Sequence, residues 1–568
     1  MKTEKNQISI LILLFIISII IVKPIGEFPI SDDWAHSLSV KHLINEYKLI
    51  LNQWSPMTLV FQITYGGMFS KIFGYSFTTL RFSTLILSFI CLISFYFLLR
   101  EFNISQKKSL IATIFLLFNP IYFFLSFTFM TEIPFLTFMI LSLLFYTKAI
   151  KLDSKFDNFF TDKKNKKTHN NTYKKKITLY LLLGSLFSSI AFLIRQNGIL
   201  IFISLLFFLF INRKLNIRNF VIISFLPIIT FFLFYYWYYF IHGPTTRYLL
   251  SSNQLISIKI ILRIIVYSFQ SILIISFYFS PFIYSYFSDK GYSNLFLKQK
   301  NKNYHIFFLI LLTLFLYIGI ILYKNFFNDL PYTGVFSFNG IGLIYTFNYI
   351  PKIFTFIINL FILITASLFI FLFIKFVKKI ITEKDNLFFS HKTKNINLFN
   401  FKDEIIFIYI LTFFQFLFII ITPGFFDRYL IPVFPGIIIF FIKNIKKLSK
   451  VFYFLLFFFI LFSIISTKDY FVYNNAKWKL LNFLLENNIS PYKINGGFEF
   501  NGYYLSEYFY NITNNKEPKP GKKGLFIEEE EYFISQEKIN NTILLKELKY
   551  STYFGLINHK IYLNKRTI

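Results

Sequence analysis

The sequence contains a single cysteine, Cys91, which lies within an apolar run. One thiol excludes a disulfide framework and a cysteine-based metal site. Charged residues are also scarce, at 15% of the chain, where globular domains have about a quarter. Acidic residues are fewest, with 28 Asp and Glu against 59 Lys and Arg. These shortages argue against a soluble globular protein of 568 residues.

Hydrophobic residues take the place of the missing charge. They make up 55% of the chain, and 84 residues are phenylalanine. Apolar runs of about 20 residues, the length that crosses a bilayer, recur along most of the sequence. The lysine clusters fall between these runs, where membrane topology explains them better than nucleic-acid binding does. We therefore predict an all-α, multi-pass membrane protein that has the lipid bilayer, and no nucleic acid, as a partner.

The apolar runs predict about thirteen transmembrane helices. The first follows a charged start, MKTEK, but no small-residue cleavage site comes after it, which favours an uncleaved anchor. The predicted spans lie near residues 8–22, 80–99, 109–127, 133–149, 177–194, 199–211, 219–241, 264–287, 305–323, 353–374, 405–422, 431–442 and 451–466.

The loops between these spans differ in charge. If the N-terminus is cytoplasmic, the cytoplasmic loops hold 33 Lys or Arg and the opposite loops hold twelve. This is the asymmetry that the positive-inside rule describes. We predict a protein of the cytoplasmic membrane with a membrane domain over residues 1–466, whose first outer loop is 23–79. Residues 467–568 would then form an extracytoplasmic C-terminal domain.

That C-terminal region has a different composition. Trp478, Leu481, Leu484 and Leu485 have the spacing of one apolar helix face. YKINGGFEFNG is typical of a strand and turn, and the end of the chain, YSTYFGLINHKIYLNK, is typical of strands. The region is therefore predicted to be a small α/β domain.

Several charged side chains fall on the predicted outer face. EFPISDDWAHSLSVKHL places Asp32 and Asp33 just after the first span, and MTEIPFL places Glu132 in a short turn. The chain uses 50 lysines and nine arginines, yet five of the twelve outer cations are arginine, namely Arg81, Arg195, Arg247, Arg263 and Arg428. A planar guanidinium grips phosphate or carboxylate in ways that an ammonium does not.

Carboxylates beside arginines at membrane depth suggest a reaction site. A carboxylate in a partly desolvated pocket suits general-base work on a hydroxyl or amine. Arginines suit a phosphate leaving group, because they stabilise its developing charge. Simpler interpretations stay open: Asp32 and Asp33 could cap a helix, Glu132 could be a hydrated turn residue, and the arginines could snorkel at the interface.

The motifs resemble those of GT-C glycosyltransferases of the bacterial family 39 type, relatives of protein O-mannosyltransferases and of aminoarabinose transferases. SDDWAHSLSVKHLI occupies the place of the acidic pair in their first outer loop. FSKIFGYSFTTLRFSTLIL resembles the entry to their second span, MTEIPFL their second acidic site, and DRYLIPVFP their late RY-P-P turn. The resemblance implies the GT-C fold, often with thirteen spans and an outward C-terminal domain.

The resemblance also implies roles for individual residues. Asp32 matches the catalytic acidic position, with Asp33 and Glu132 as further catalytic carboxylates. The donor phosphate would be bound by Arg195, Arg247 and Arg428, with His36, Asp427 and Tyr429 in support. No metal ligand is assigned and no cofactor is certain. A divalent metal is left open, although Asp32, Asp33 and His36 would need further ligands to hold one.

The implied function is a membrane hexosyl- or pentosyltransferase of the cell envelope. It would move a sugar, with inversion, from a polyprenyl-phosphate donor to a lipid, glycan or protein acceptor, as in lipopolysaccharide or protein glycosylation. Two alternatives remain: a lipid-linked glycan transporter or flippase, and a glycan polymerase or ligase. A transporter is expected to carry polar groups along a path through its spans and often broken-helix repeats, whereas the acidic residues here gather outside.

Overall fold

The structure is a computed structural model. It describes residues 2–159, 168–245, 258–290, 310, 313–314, 357–358, 360–374, 404–422, 424–513, 526–527 and 530–567.

The described part of the chain is mostly helical. Apolar residues line most helices on all sides, as expected where lipid surrounds the protein and every backbone group must be satisfied within the helix. The helices before the C-terminal region are α1 (Lys2–Val22), α2 (Asp33–Glu46), α3 (Val60–Phe73), α4 (Phe77–Glu101), α5 (Gln106–Leu117), α6 (Pro120–Ser126), α7 (Glu132–Phe159), α8 (Thr168–Phe192), α9 (Ile199–Ile211), α10 (Ile217–Tyr236), α11 (Ile258–Tyr278), α12 (Ser280–Lys290), α13 (Leu360–Ile374), α14 (Ile405–Ile421) and α15 (Phe434–Asn444).

Within the described residues, six helices are long and apolar enough to cross a membrane. They lie at Glu4–Val22, Phe77–Glu101, Glu132–Asp153, Tyr173–Phe192, Ile217–His242 and Lys450–Glu486. Two further spans result if each bent helix pair counts as one: α5 with α6, bent by 68°, and α11 with α12, bent by 70°. The first bend has a clear cause, because Pro120 cannot donate a backbone hydrogen bond and Asn119 caps α6 through Ile121 N at 3.1 Å. The prediction of a multi-pass membrane protein is confirmed.

The number of thirteen spans is not confirmed. The described residues give six spans, or eight with the bent pairs, together with shorter apolar helices at Gln196–Ile211, Leu360–Ile374 and Ile405–Ile421. These helices are too short to cross about 30 Å of hydrocarbon without tilting or neighbouring support. The predicted span at 305–323 lies almost wholly outside the described residues.

The predicted cytoplasmic loops meet at one end of the helices. Basic residues of these loops pair with acidic residues of neighbouring helices, in Arg100–Glu4 at 3.6 Å, Lys151–Glu101 at 3.6 Å and Lys214–Asp153 at 3.2 Å. The turn after α15 joins them, since Lys108 Nζ donates to Ile445 O at 2.6 Å. The described parts of these loops, which the charge pattern groups together, are therefore neighbours in space. Which side of the membrane they face stays a prediction.

The C-terminal region begins on a helix that starts in the membrane. Helix α16 (Lys450–Glu486) is continuous for 37 residues and passes through the predicted domain boundary at 466. Helix α17 (Phe498–Ile512) follows, with the strands β1 (Ile494–Asn495), β2 (Tyr532–Ser535), β3 (Thr542–Thr552) and β4 (Ile557–Arg566). The small C-terminal α/β unit is confirmed, whereas the exact domain division stays a prediction.

The four strands form one sheet in the order β1-β2-β4-β3. Strands β3 and β4 form a long antiparallel hairpin that pairs Thr542 with Arg566 at its open end and Thr552 with Ile557 at its turn. Strand β2 is antiparallel to β4, and the short β1 is parallel to β2.

Helix α17 packs on α2 and so covers the first outer loop. The contact is close because Gly502 of α17 lies against the ring of Trp34, and a Cβ atom there would come within 2.4 Å of the indole. Trp34 and Trp54 form an aromatic cluster with Phe498 and Phe526, at ring distances of 5.6 to 6.1 Å. This cluster joins the C-terminal unit to the loop that carries Asp32.

Candidate active site

Asp32 immediately precedes helix α2, but it does not cap that helix. It makes no capping hydrogen bond with its side chain. Instead, its Oδ1 accepts a hydrogen bond from Trp54 Nε1 at 2.9 Å, and its Oδ2 accepts one from Arg428 Nη2 at 2.6 Å. The capping interpretation of Asp32 is therefore wrong, and its carboxylate faces other outer loops.

Arg428 connects the first outer loop to the second. It lies in a 3₁₀ turn, Asp427–Val433, where Asp427 Oδ1 accepts the Arg428 backbone N–H at 2.7 Å. Its Nη1 donates to Ser31 Oγ at 3.2 Å, and its Nε lies 3.3 Å from Glu132 Oε1. Burial alone lowers the pKa of Arg428, but Asp32 and Glu132 outweigh this effect and raise the pKa above its usual value. Arg428 is thus a fixed cation between two carboxylates.

Glu132 is the first residue of α7, and it holds a second arginine. Its Oε1 accepts a hydrogen bond from Arg195 Nη1 at 2.9 Å, and the same nitrogen donates to Thr131 Oγ1 at 3.1 Å. The Glu132 side chain is only 1% exposed, against 21% for Asp32. Its Oε2 is buried and has no hydrogen-bond partner among the described residues.

These four residues form one chain of alternating charges, Asp32–Arg428–Glu132–Arg195, which we call the charge chain. The Tyr429 ring lies beside both arginines, with centroid distances of 5.0 Å to Arg195 Cζ and 5.7 Å to Arg428 Cζ. Tyr429 therefore limits where the two guanidiniums can move. The two carboxylates and the two guanidiniums of the charge chain have a net charge of zero. A bound anion would therefore make the net charge negative or displace one carboxylate from its arginine.

His36 lies on α2 close to the charge chain. Its Nδ1 is 3.4 Å from Phe129 O, in the turn before Glu132, and its side chain is buried. Burial lowers the pKa of His36, although the nearby Asp32 opposes this effect. A neutral imidazole at this place supports the loop contact without adding charge.

Asp33 points away from Asp32. Its Oδ1 accepts from Ile30 N at 2.5 Å and its Oδ2 from Phe129 N at 3.3 Å, and the side chain is buried. Burial raises the pKa of Asp33 to about 7, against the opposing effects of Arg81 and of the two backbone amides. Asp33 ties the first outer loop to the second, and its assignment to catalysis stays a prediction.

The remaining arginines of the predicted outer face are not part of the charge chain as described. Arg81 is fully buried and donates to Gly26 O at 2.7 Å and to Phe28 O, which anchors the start of the first loop. Arg263 is partly exposed, and its Nη2 lies 3.4 Å from Ile421 O. Arg247, predicted to bind the donor phosphate, lies outside the described residues.

The structure adds two contacts that the sequence interpretation did not include. Trp54 donates to Asp32, although nothing but its place in the first outer loop marked it. Gln415 accepts from Asn197 Nδ2 at 2.7 Å and donates to Asn197 O at 3.1 Å, which ties α14 to the turn that carries Arg195. A glutamine inside the apolar α14 was a usable signal, since polar groups in a span need a partner.

Within the described residues, no group of three or more His, Cys, Asp or Glu side chains is placed to hold a metal ion.

Part of the chain matches a known protein family. Residues 63–160 match the model of the family described as dolichyl-phosphate-mannose-protein mannosyltransferase. This stretch includes Glu132 but not Asp32 or Arg428. The match confirms, over those residues, the resemblance that the sequence motifs indicated.

Comparison with solved structures finds two crystal structures of ArnT from Cupriavidus metallidurans. The one in the apo state is 9% identical, with a TM-score of 0.41, over 85% of this chain and 66% of that one. The one bound to undecaprenyl phosphate is 11% identical, with a TM-score of 0.40, over 88% and 75%. The chain thus spans just under two thirds of the first protein, and the likeness is too weak to support conclusions. No curated protein matches the chain.

Proposed function

We propose that the protein is a membrane glycosyltransferase that moves a sugar from a polyprenyl-phosphate donor to an acceptor. The observation that carries this proposal is the charge chain, in which an accessible carboxylate, Asp32, lies 2.6 Å from a buried arginine, Arg428. The family matched by residues 63–160 is named for a dolichyl-phosphate-linked mannose, which supports a donor of this class.

The difference in exposure supports different roles for the residues of the charge chain. Asp32, at 21% exposed, can reach an acceptor, whereas Glu132, at 1%, is enclosed. Asp32 is therefore the general base. Glu132 contacts both Arg428 and Arg195 and holds them as a pair for the donor phosphate. Asp33 and His36 support the loops around this group.

The reaction follows from these positions. Asp32 accepts the proton of the acceptor hydroxyl or amine, whose oxygen or nitrogen forms a bond to the anomeric carbon of the sugar. The bond between that carbon and the phosphate oxygen breaks, and polyprenyl phosphate leaves with the electron pair. Arg428 and Arg195 stabilise the charge that develops on the phosphate. Inversion at the anomeric carbon is implied by the family resemblance.

The pairing of Asp32 with Arg428 suggests an order of binding. A donor phosphate near Arg428 competes with Asp32 for the same guanidinium. As that ion pair weakens, the Asp32 carboxylate becomes a stronger proton acceptor. Donor binding would thus prepare the base and disfavour proton abstraction before the donor is in place.

The proposed topology places this chemistry outside the cytoplasm. The lysine-rich loops would face the cytoplasm with the N-terminus, and the charge chain and residues 467–568 would face outward. The acceptor is then a lipid, glycan or protein at the outer face of the cytoplasmic membrane. Residues 1–466 would form the catalytic membrane domain.

The test is acceptor-dependent cleavage of a donor by the purified full chain in lipid nanodiscs. Polyprenyl-phosphate hexoses and pentoses are offered with an extract of cell-envelope glycolipids as acceptor, and the products are read by mass spectrometry. Asp32→Asn is expected to lower turnover by about 10²- to 10⁴-fold, the usual contribution of a general base.

Asp153→Asn is the matched control, because Asp153 pairs with Lys214 at the opposite end of the helices. It is expected to keep normal turnover. Near-normal turnover by Asp32→Asn would reject the base assignment. The same protein is also placed in lipid vesicles. Movement of uncleaved donor across the vesicle membrane, with no cleavage in any condition, would indicate a transporter instead.

A further inference from the structure

The tip of the β3–β4 hairpin exposes large apolar side chains. The tip consists of Tyr553–Gly555 and the two residues that follow. Phe554 is 57% exposed, Leu556 85% and Ile557 45%. Apolar groups clustered at one exposed place usually mark a contact surface. The hairpin tip is therefore a candidate contact surface.

The hairpin tip lies beside α16, close to the place where that helix leaves the membrane. The backbone N–H of Tyr553 donates to both carboxylate oxygens of Asp469 at 3.1 Å, and Lys468 Nζ lies 4.1 Å from the centre of the Phe554 ring. Lys468 is three residues after Ile465, the end of the apolar stretch of α16. At about 1.5 Å per helical residue, the tip stands about 5 Å beyond that stretch.

The apolar stretch of α16 turns large side chains outward. The exposed ones are Val451, Tyr453, Phe454, Phe457, Phe458 and Leu461. Such a surface on a helix that can cross a membrane faces lipid. The exposed apolar side chains of the hairpin tip therefore lie close to the end of a lipid-facing surface.

Strand β3 runs along α16 toward the membrane. Going down the strand, Lys546 Nζ lies 3.9 Å from the Phe483 ring, and the Tyr550 ring lies 5.8 Å from that of Tyr473. Tyr553 then meets Asp469. From Phe483 to Asp469 the helix rises by about 21 Å, so the tip is the part of the sheet nearest the membrane.

We propose that the hairpin tip inserts into the leaflet of the bilayer that lies on the side of the C-terminal unit. Phe554, Leu556 and Ile557 would enter the boundary between headgroups and acyl chains, while Lys468 stays among the lipid phosphates. This contact gives the C-terminal unit a second attachment to the membrane, besides α16. It depends on α16 crossing the membrane and not on the proposed reaction.

Spin labelling of the full chain in vesicles tests this insertion. Leu556→Cys and Leu545→Cys are each labelled with a nitroxide in vesicles of three parts phosphatidylcholine to one part phosphatidylglycerol. Leu545 is the matched control, since it is also an exposed leucine, 41%, but lies next to Lys546 at the far end of β3. Cys91 is buried, so the native chain serves as the unlabelled background.

The rate at which each nitroxide collides with oxygen, which concentrates in the bilayer, is compared with its rate of collision with a water-soluble nickel chelate. The label at 556 is expected to show a ratio of oxygen to nickel collisions several-fold above that at 545. Ile557→Cys, a second tip position, should follow 556. If 556 and 557 are as open to nickel as 545, the hairpin tip lies in water and the proposal is overturned.

Discussion

The indole Nε1 of Trp54 donates a hydrogen bond to Asp32 Oδ1 at 2.9 Å, while the ring of Trp54 packs against Phe498 of helix α17 at 5.6 Å. One side chain thus contacts both the proposed base and the C-terminal unit. The orientation of Asp32 depends on residues about 470 positions further along the chain. A movement of the C-terminal unit would therefore be passed through Trp54 to Asp32.

Replacing Trp54 by phenylalanine tests this connection. Trp54→Phe keeps an aromatic ring in the cluster but removes the hydrogen bond to the carboxylate. We expect kcat to fall by about tenfold or more, because the carboxylate loses a contact that orients it and a hydrogen bond to a charged group contributes about 1.5 to 3 kcal/mol. The KM for the donor should stay unchanged. Steady-state kinetics in nanodiscs measure both constants.

Trp478→Phe is the control for that variant. Trp478 packs on Phe500 at 5.6 Å, and its Nε1 has no hydrogen-bond partner in the described part of the chain. It should leave kcat unchanged. Equal losses in both variants would show that the effect is general packing and not the positioning of Asp32.

Arg428 should not tolerate lysine. Arg428→Lys keeps the charge but loses the planar fork that contacts Ser31, Asp32 and Glu132 together. We expect kcat/KM for the donor to fall by at least about tenfold, given the usual free energy of charged hydrogen bonds. Arg263→Lys, at a partly exposed position outside the charge chain, should stay close to the wild type. A similar result for the two variants would contradict the role of Arg428.

Gly502 should tolerate no side chain. Gly502→Ala places a Cβ within 2.4 Å of the Trp34 indole, so α17 must move away from α2. Overpacking of this kind costs about 1 to 3 kcal/mol. We expect a lower thermal midpoint in detergent and faster proteolysis of the C-terminal unit. Asn511→Ala, at an exposed position of the same helix, should change neither measurement.

Alkaline pH should loosen the contact between α2 and α17. His42 lies between Glu507, at 2.8 Å from Nε2, and Glu46, at 2.6 Å from Nδ1. The hydrogen bond to Glu507 is the main cause that raises the pKa of His42 from 6.5 to about 9. Because the folded state binds the proton more tightly, the stabilisation is complete below pH 6.5 and is lost as the pH rises through about 9.

Thermal midpoints of the wild type and of His42→Gln, measured from pH 6 to pH 10, check this expectation. The difference between the two should shrink between pH 6.5 and 9. Parallel curves over this range would mean that His42 does not clamp the two helices.

The sequence predicted that charges from several loops gather at one level, and four of them are in contact, but it did not predict their individual directions. Short loops and span alternation bring Asp32, Glu132, Arg195 and Arg428 to one face, although Asp32 and Arg428 are nearly 400 residues apart. Asp32 and Asp33 are consecutive at a helix start, and neighbours there point about 100° apart, so only one can face the site. Which one does so depends on tertiary partners, Trp54 for Asp32 and Phe129 for Asp33.

Arg81 shows the same limit. Its charge and its predicted outer position matched those of Arg428, yet its guanidinium donates to backbone carbonyls of the first outer loop. Composition cannot separate an arginine that holds a loop from one that faces a site, because both need an acceptor within reach. The number of spans was uncertain for another reason, since apolar runs such as Ile405–Ile421 form helices too short for a full crossing, and hydrophobicity alone does not separate these from spans.

The unbroken length of α16 has a mechanical consequence. Its 37 residues rise by about 55 Å, roughly 25 Å more than the hydrocarbon thickness. Because α16 has no break, any change in its tilt within the bilayer moves the sheet and α17, which packs over the loop that carries Asp32. A change in membrane thickness that tilts α16 would therefore shift α17 relative to Asp32. We expect the rate of sugar transfer to vary with the acyl-chain length of the surrounding lipid.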